Sequence, residues 1–272
     1  MPDTMKAVIL ARGLGTRMRK AAGSAGIDAG QAAAADTGVK GMIPIGRPFL
    51  DYVLSALADA GCREACLVIG PEHDAIRRHY TVDAPPTRLA ISFAIQEQPL
   101  GTANAVAAAE GFAGGNVFLA LNSDNYYPVD VLAGLRAAGR PGLAGFDPDT
   151  LVRDSNIDPE RVRKYAILSV DADGFLADII EKPDEHTWKA AGRGALISMN
   201  CWSFGPAIFE AARRIEPSAR GELELADAVR YAMRRLGERF AVLPVAAGVL
   251  DLSVRGDIPE VARRLREVDV RL

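Results

Sequence analysis

Met5-Lys6-Ala7-Val8-Ile9-Leu10-Ala11 runs directly into Arg12-Gly13-Leu14-Gly15-Thr16-Arg17. A short, continuously apolar run that stops at a glycine-rich turn is the pattern of a parallel strand buried on both faces. Residues 5–11 are therefore expected to open an α/β sheet. In such sheets ligands bind beyond the C-terminal ends of the strands, where this turn lies. Glycines let backbone N–H groups approach a polyphosphate, and an arginine closing the turn supplies a charge-assisted fork. Taken alone, Gly-x-Gly is a weak signal and points more readily to a plain tight turn. The dinucleotide fingerprint is excluded, because Met18 stands where its third glycine belongs. No Gly-Lys-Ser/Thr follows, which excludes the P-loop.

Outward from this turn, strands and helices alternate. Residues 49–60 place Leu50, Val53, Leu54 and Leu57 on one helical face, with Gly61 as a stop. Strands are expected over 65–69, 89–95 and 116–121. A short helix over 71–79 starts with Pro71 in its first turn, and Thr102 is suited to cap an alanine-rich helix over 103–110. The second half is less regular. Residues 164–170 and 175–181 flank Asp171-Ala172-Asp173-Gly174, a hairpin signal. Further strands are read over 195–204 and 240–246, and helices over 206–214, 222–236 and 257–267. This alternation predicts βαβ units and a Rossmann-like three-layer α/β sandwich with a mostly parallel mixed sheet. With no internal repeat and no separating linker, residues 1–272 read as one domain. It divides into a first half, about 1–125, and a second, about 126–272.

Composition narrows the function classes. Of 272 residues, 49% are hydrophobic and 25% charged, which excludes disorder as the main state. The net charge of −3 argues against an electrostatic nucleic-acid binder. No apolar run approaches membrane-spanning length, and the N-terminus lacks a secretory pattern. Cys62, Cys66 and Cys201 are odd in number and without zinc spacing, so buried thiols in a cytoplasmic setting are expected. His73, His79 and His186 are scattered among polar residues and read as surface positions. Residues 20–39 are almost all alanine, glycine and small polar residues. They read either as a surface insertion or as a lid over a ligand, since they join two candidate phosphate-binding segments.

Gly13-Leu14-Gly15-Thr16-Arg17 followed by Lys40-Gly41-Met42-Ile43-Pro44 resembles the G-x-G-T-R…K-x-x-x-P signature of the sugar-phosphate nucleotidylyltransferases. These enzymes make nucleoside-diphosphate sugars from a nucleoside triphosphate and a sugar 1-phosphate. Gln98-Pro99-Leu100-Gly101-Thr102-Ala103 looks like the family's base-recognition loop. Ser123-Asp124-Asn125 resembles its metal-binding stretch, and Glu181-Lys182-Pro183 its sugar-phosphate motif. Gly221–Asp227 and Leu250-Asp251-Leu252 resemble two later segments. Six such stretches in family order extend the resemblance over nearly the whole chain, and the members it resembles are glucose-1-phosphate thymidylyl- and uridylyltransferases.

The resemblance implies that about 1–125 binds the nucleotide and about 126–272 the sugar phosphate, and it implies specific residues. Arg17 and Lys40 would meet the triphosphate, and Lys182 the sugar phosphate. Asp124 and Asp251 would hold one Mg²⁺ at the α-phosphate. Leu10, Ala11, Gly13, Gly15, Thr16, Gln98, Gly101 and Thr102 would bind the nucleotide. Tyr165, Glu181 and Asn200 would bind the sugar. The chemistry agrees: attack by a sugar-phosphate oxygen on the α-phosphorus joins two anions, so neutralisation and alignment dominate. The nucleophile is ionised at pH 7, and neither a general base nor a covalent serine or cysteine is needed. Gln98 carries both a donor and an acceptor, suiting a pyrimidine edge, and the resemblance implies that a glutamine here goes with UTP or dTTP.

The chain departs from the family pattern in several places. Arg12 replaces a usual glycine, Ala166 follows Tyr165 where glycine is common, Asn122-Ser123 precede Asp124, and Leu252-Ser253 follow Asp251. Two alternatives stay open: a GTP-using mannose-1-phosphate guanylyltransferase-like enzyme, and a catalytically silent sugar-nucleotide-binding regulator. No hexapeptide repeat is present, so an added acyltransferase activity is not expected. Enzymes of this kind often self-associate, so a homo-oligomer is an expectation from the resemblance alone.

Overall fold

The computed structural model describes residues 6–20, 26–192 and 194–272. Its strands are β1 (Lys6–Leu10), β2 (Glu64–Ile69), β3 (Ala90–Ile95), β4 (Phe118–Asn122), β5 (Asn125–Tyr126), β6 (Gly142–Phe146), β7 (Ile167–Val170), β8 (Leu176–Ile180), β9 (Leu196–Phe204), β10 (Ala241–Val245) and β11 (Leu250–Asp251). Among the described residues, nine of these form one sheet, ordered β10-β6-β9-β4-β1-β2-β3, with the β7–β8 hairpin paired to β9. Only β9 runs against its neighbours along that path, so the sheet is mixed and mostly parallel, as expected. β5 and β11 pair separately.

The apolar run of β1 lies at the centre because both its faces are covered. Val8 packs into one core, and Ala7 and Ile9 into the other, as the two-residue period of a strand requires. The second core stacks Trp202 on Phe204 at 5.2 Å and Phe118 on Phe209 at 5.4 Å between ring centroids. The helix Phe49–Asp59 buries the predicted Leu50, Val53, Leu54 and Leu57. Its opposite side is buried as well. Asp51 accepts from the Tyr80 hydroxyl at 2.9 Å, and Ser55 Oγ accepts from Arg271 N at 3.0 Å, because the chain after the last helix, Ile258–Leu265, packs over it.

Sequence-based boundaries shift where tertiary contacts supply the partners. The helix expected over 71–79 covers Asp74–Arg78, with Pro71 left in the preceding turn, and continues as a wider turn through His79–Asp83. Of the segment 20–39, residues 21–25 lie outside the described part, and so does Met5. The rest is not an unstructured insertion: Ala29–Thr37 form a helix. His73 is not a surface residue, for its Nδ1 accepts from Gly70 N at 3.2 Å and its side chain is 10% exposed. The three cysteines are buried, as predicted. No helix among the described residues is long and apolar enough to cross a membrane.

Thr102 caps a different helix from the one expected. It is the first residue of the helix Thr102–Ala108, and its Oγ1 accepts from Leu225 N at 3.0 Å, the first amide of Leu225–Leu236. Gly101 permits this, because a Cβ there would sit 2.5 Å from the Leu223 carbonyl oxygen. Leu223 N donates to Leu100 O at 2.7 Å, and Ala103 N to Leu223 O at 2.9 Å, lacing the two halves of the chain together. Thr102→Val, which keeps the volume and removes the acceptor, is expected to cost about 1 kcal/mol in chemical denaturation.

Candidate active site

The order of the sheet positions the site. β1 pairs with β2 on one side and β4 on the other, so the chain leaves the C-terminal ends of β1 and β4 in opposite directions and opens a crevice there. Leu10 is in register with Asn122, and Ser123 N donates to Leu10 O at 3.1 Å. The turn after β1 and the turn after β4 therefore share one cavity of about 410 Å³. Its walls include Leu10 to Arg17, Lys40, Gln96, Gly101, Thr102 and Asn122 to Asp124. Gly15 adopts φ +60, which a glycine takes without strain.

Charge gathers on these walls. Lys40 Nζ donates to Asp124 Oδ2 at 2.7 Å, with both side chains largely covered (14% and 22% exposed). Arg17 lies exposed on the same cavity. Arg12, noted in the sequence only as a departure, is a wall residue. Its guanidinium donates to Gln96 O and pairs with Glu72 at 3.3 Å, and its charge and hydrogen bond help hold the Glu72 carboxyl below its usual range, after the larger effect of Glu72's own backbone.

Asp251 is brought to Asp124 by the β5–β11 pair. It is in register with Asn125, and Leu252 N donates to Asp124 O at 2.9 Å. Burial, and then the Asp124 charge, raise the Asp251 carboxyl above its usual range. Its oxygens are already engaged. Oδ1 accepts from Asn125 Nδ2 at 3.2 Å, Oδ2 accepts from Tyr165 OH at 3.1 Å and from Arg161 Nη2, and the Ser253 hydroxyl lies within reach of both oxygens, at 3.0 and 2.9 Å. Both carboxylates offer the oxygen ligands that Mg²⁺ prefers. Asp124 lies on the cavity with Lys40 on its Oδ2, and Asp251 sits behind it with most of its donors from within the protein. Among the described residues no group of three histidines, cysteines or carboxylates forms a metal cluster.

The remaining predicted residues divide. Leu10, Ala11, Gly13, Gly15, Thr16, Gly101 and Thr102 all line the cavity. Gln98 does not: it is exposed and lines an adjoining groove with Leu100 and Ala108. The glutamine on the cavity is Gln96, buried at the end of β3, whose Nε2 donates to Gly101 O at 3.0 Å and Asn104 Oδ1 at 2.9 Å. Its place one residue after a strand was the available sequence signal.

Tyr165, Glu181, Lys182 and Asn200 are not on the cavity walls. Tyr165 reaches the site through Asp251. Lys182 (φ 45) and Asn200 (φ 57) are the non-glycine residues in left-handed backbone among those described. Such backbone costs about 1–3 kcal/mol and is concentrated at functional sites. Partial desolvation, and then the nearby Glu224 charge, raise the Glu181 carboxyl.

The profile of the nucleotidyl transferase family matches residues 35–248, a span that starts after the glycine turn and stops before Asp251. UTP–glucose-1-phosphate uridylyltransferase AglF of Haloferax volcanii is 28% identical over 264 residues, covering 97% of each chain. The same organism's low-salt glycan biosynthesis nucleotidyltransferase Agl11 is 29% identical over 230 residues. Glucose-1-phosphate thymidylyltransferase of Streptomyces antibioticus is 30% identical over 229 residues. The alignments span 56% of Agl11 and 57% of the thymidylyltransferase. A UDP-glucose pyrophosphorylase solved with UDP-glucose superposes with a TM-score of 0.73 over 98% of this chain and 100% of that one, at 18% identity, a likeness of fold.

Breaking a buried ion pair from one side leaves an uncompensated charge. Arg161→Met is expected to cost about 3 kcal/mol in urea unfolding. Adding Asp251→Asn should recover part of that loss in a double-mutant cycle.

Proposed function

The chain belongs to the nucleotidyl transferase family, and from that premise we propose that it transfers a nucleotidyl group from UTP or dTTP to a sugar 1-phosphate, releasing pyrophosphate. The observation that carries this reading is the Lys40–Asp124 pair lining the same cavity as Arg17 and the glycine turn. Three cations (Arg12, Arg17 and Lys40) and two carboxylates (Asp124 and Glu222) on its walls suit a polyphosphate that brings its own counter-cation. The relatives named for uridylyl and thymidylyl transfer to glucose 1-phosphate support the pyrimidine triphosphates and an aldose 1-phosphate.

In this reading an oxygen of the sugar phosphate forms a bond to the α-phosphorus. The bond from that phosphorus to the bridging oxygen breaks, and pyrophosphate leaves with the electron pair. No proton has to be removed from the nucleophile at neutral pH, so the protein's work is alignment and charge neutralisation. Backbone N–H groups of Gly13 to Thr16 and the Arg17 guanidinium would receive the β- and γ-phosphates. Lys40, released from part of its pairing with Asp124, would turn to the α-phosphate. Magnesium, which prefers carboxylate and phosphate oxygens, would be held by Asp124 and add positive charge at the α-phosphate. Asp251 would act behind it as the anchor of Arg161 and Tyr165. Gln96 and the backbone at Gly101 are placed to meet the base edge, with Gln98 at its outer rim. Lys182 and Glu181 would receive the sugar phosphate and hydroxyls, with Asn200 beside them.

Incubation with Mg²⁺, UTP or dTTP, and glucose 1-phosphate is expected to release pyrophosphate. Asp124→Asn should lower kcat on the order of 10²-fold, comparable to removing one preorganised electrostatic group. Silence of the wild-type protein across all triphosphates and a broad panel of sugar 1-phosphates would count against transfer. Calorimetric binding of a nucleotide sugar without turnover would then favour a regulatory protein.

A further inference from the structure

Residues 28–38, ahead of Lys40, are built as a strut. The helix Ala29–Thr37 opens on a reciprocal cap, with Asp28 Oδ1 accepting from Gln31 N at 2.8 Å and Gln31 Oε1 accepting from Asp28 N at 3.1 Å. Such a cap contributes about 1 kcal/mol to a segment that has little apolar face of its own. The helix closes at Gly38, φ +76.

Three ties hold it. At its C-terminal end it meets the glycine turn so closely that a Cβ on Gly15 would lie 2.2 Å from Gly38 O, and Arg19 Nη2 donates to Thr37 O at 2.7 Å. From its first turn, Gln31 Nε2 donates to Pro44 O at 2.9 Å, on the segment that carries Lys40. The third tie is Arg255, in the turn Arg255–Asp257 and only 4% exposed. Its Nε donates to Met18 O at 2.9 Å, and its Nη2 donates to Arg19 O at 3.4 Å and to the Asp36 carboxylate. One buried guanidinium thus joins the far end of the glycine turn, the helix, and the chain four residues beyond Asp251.

We propose that Arg255, acting with Asp36 through this helix, is a positioning residue that fixes the spacing of Arg17 and Lys40 and thereby sets the affinity for the nucleoside triphosphate. Arg17 lies two residues before Arg19, and Lys40 two residues after Gly38, so both cations emerge directly from the braced ends. Untying the strut lets them sample separate positions, and that freedom must be lost again when the phosphates bind. None of the three ties touches Tyr165, Glu181, Lys182 or Asn200 directly, so the triphosphate side should be affected more than the sugar-phosphate side. The inference rests on the reading of the cavity as a triphosphate site.

Arg255→Gln and Asp36→Asn test it, by calorimetry with UTP and Mg²⁺ and by steady-state kinetics in both substrates. Arg255→Gln should raise Kd and KM for the triphosphate about tenfold, as misplacing one charged contact would. The KM for sugar 1-phosphate should stay within about twofold. Asp36 is 69% exposed, so Asp36→Asn keeps the fold and should move the triphosphate constants in the same direction by a smaller factor. The double variant should be no worse than Arg255→Gln, because both changes act through one contact. Wild-type protein that binds no triphosphate would overturn the reading beneath the inference together with the inference. Wild-type protein that binds it while both variants bind equally well would overturn the inference alone. Equal losses for both substrates, tracking a fall in Tm, would reduce Arg255 to a structural residue and overturn it too.

Discussion

The parallel pairing of β1 between β2 and β4 is the constraint on which the rest of the molecule depends. Two strands that leave the same edge of a sheet in opposite directions cannot cover the gap between their ends. The gap is floored by backbone amides and lined by whatever follows each strand. Here one exit carries the glycine turn and the other carries Asp124. Cations and a carboxylate that are far apart in sequence become neighbours because the sheet allows no other place for them.

The second half of the chain is fastened to this crevice by backbone contacts more than by side chains. Leu223 exchanges hydrogen bonds with Leu100 and Ala103, and Leu252 with Asp124. These contacts deliver Glu222 to the cavity wall and Asp251 to the back of Asp124. Asp251 arrives already paired. An aspartate buried in this way needs its charge answered, and Arg161, Tyr165, Ser253 and Asn125 answer it from within the protein. The two carboxylates are therefore neighbours with different surroundings, one on the cavity and one closed off behind it.

Strain and close approach mark the same regions. Gly15 and Gly38 touch through backbone atoms that no larger residue would allow, and Gly101 meets Leu223 in the same manner. Lys182 and Asn200 hold left-handed backbone without glycine's freedom. Each is a position where the fold restricts the residue, and each lies in a segment that the family resemblance singled out or next to one.

The sequence by itself determined the alternation of strands and helices, the placement of the glycine turn at a strand end, and the family, because apolar periodicity and ordered motifs are local properties of the chain. The family resemblance also singled out Arg17, Lys40 and Asp124, and the fold sets all three on one cavity. Only the tertiary structure decided which glutamine faces that cavity: Gln96 and Gln98 differ by two residues, and the turn after β3 turns one inward and the other out. It also decided that Thr102 caps a distant helix, that the alanine-rich segment is a braced helix, and that Asp251 is held by Arg161. The side-chain partners of Gln96 are local, at Gly101 and Asn104; in the other cases a deciding partner lies tens to hundreds of residues away, beyond any short window along the chain.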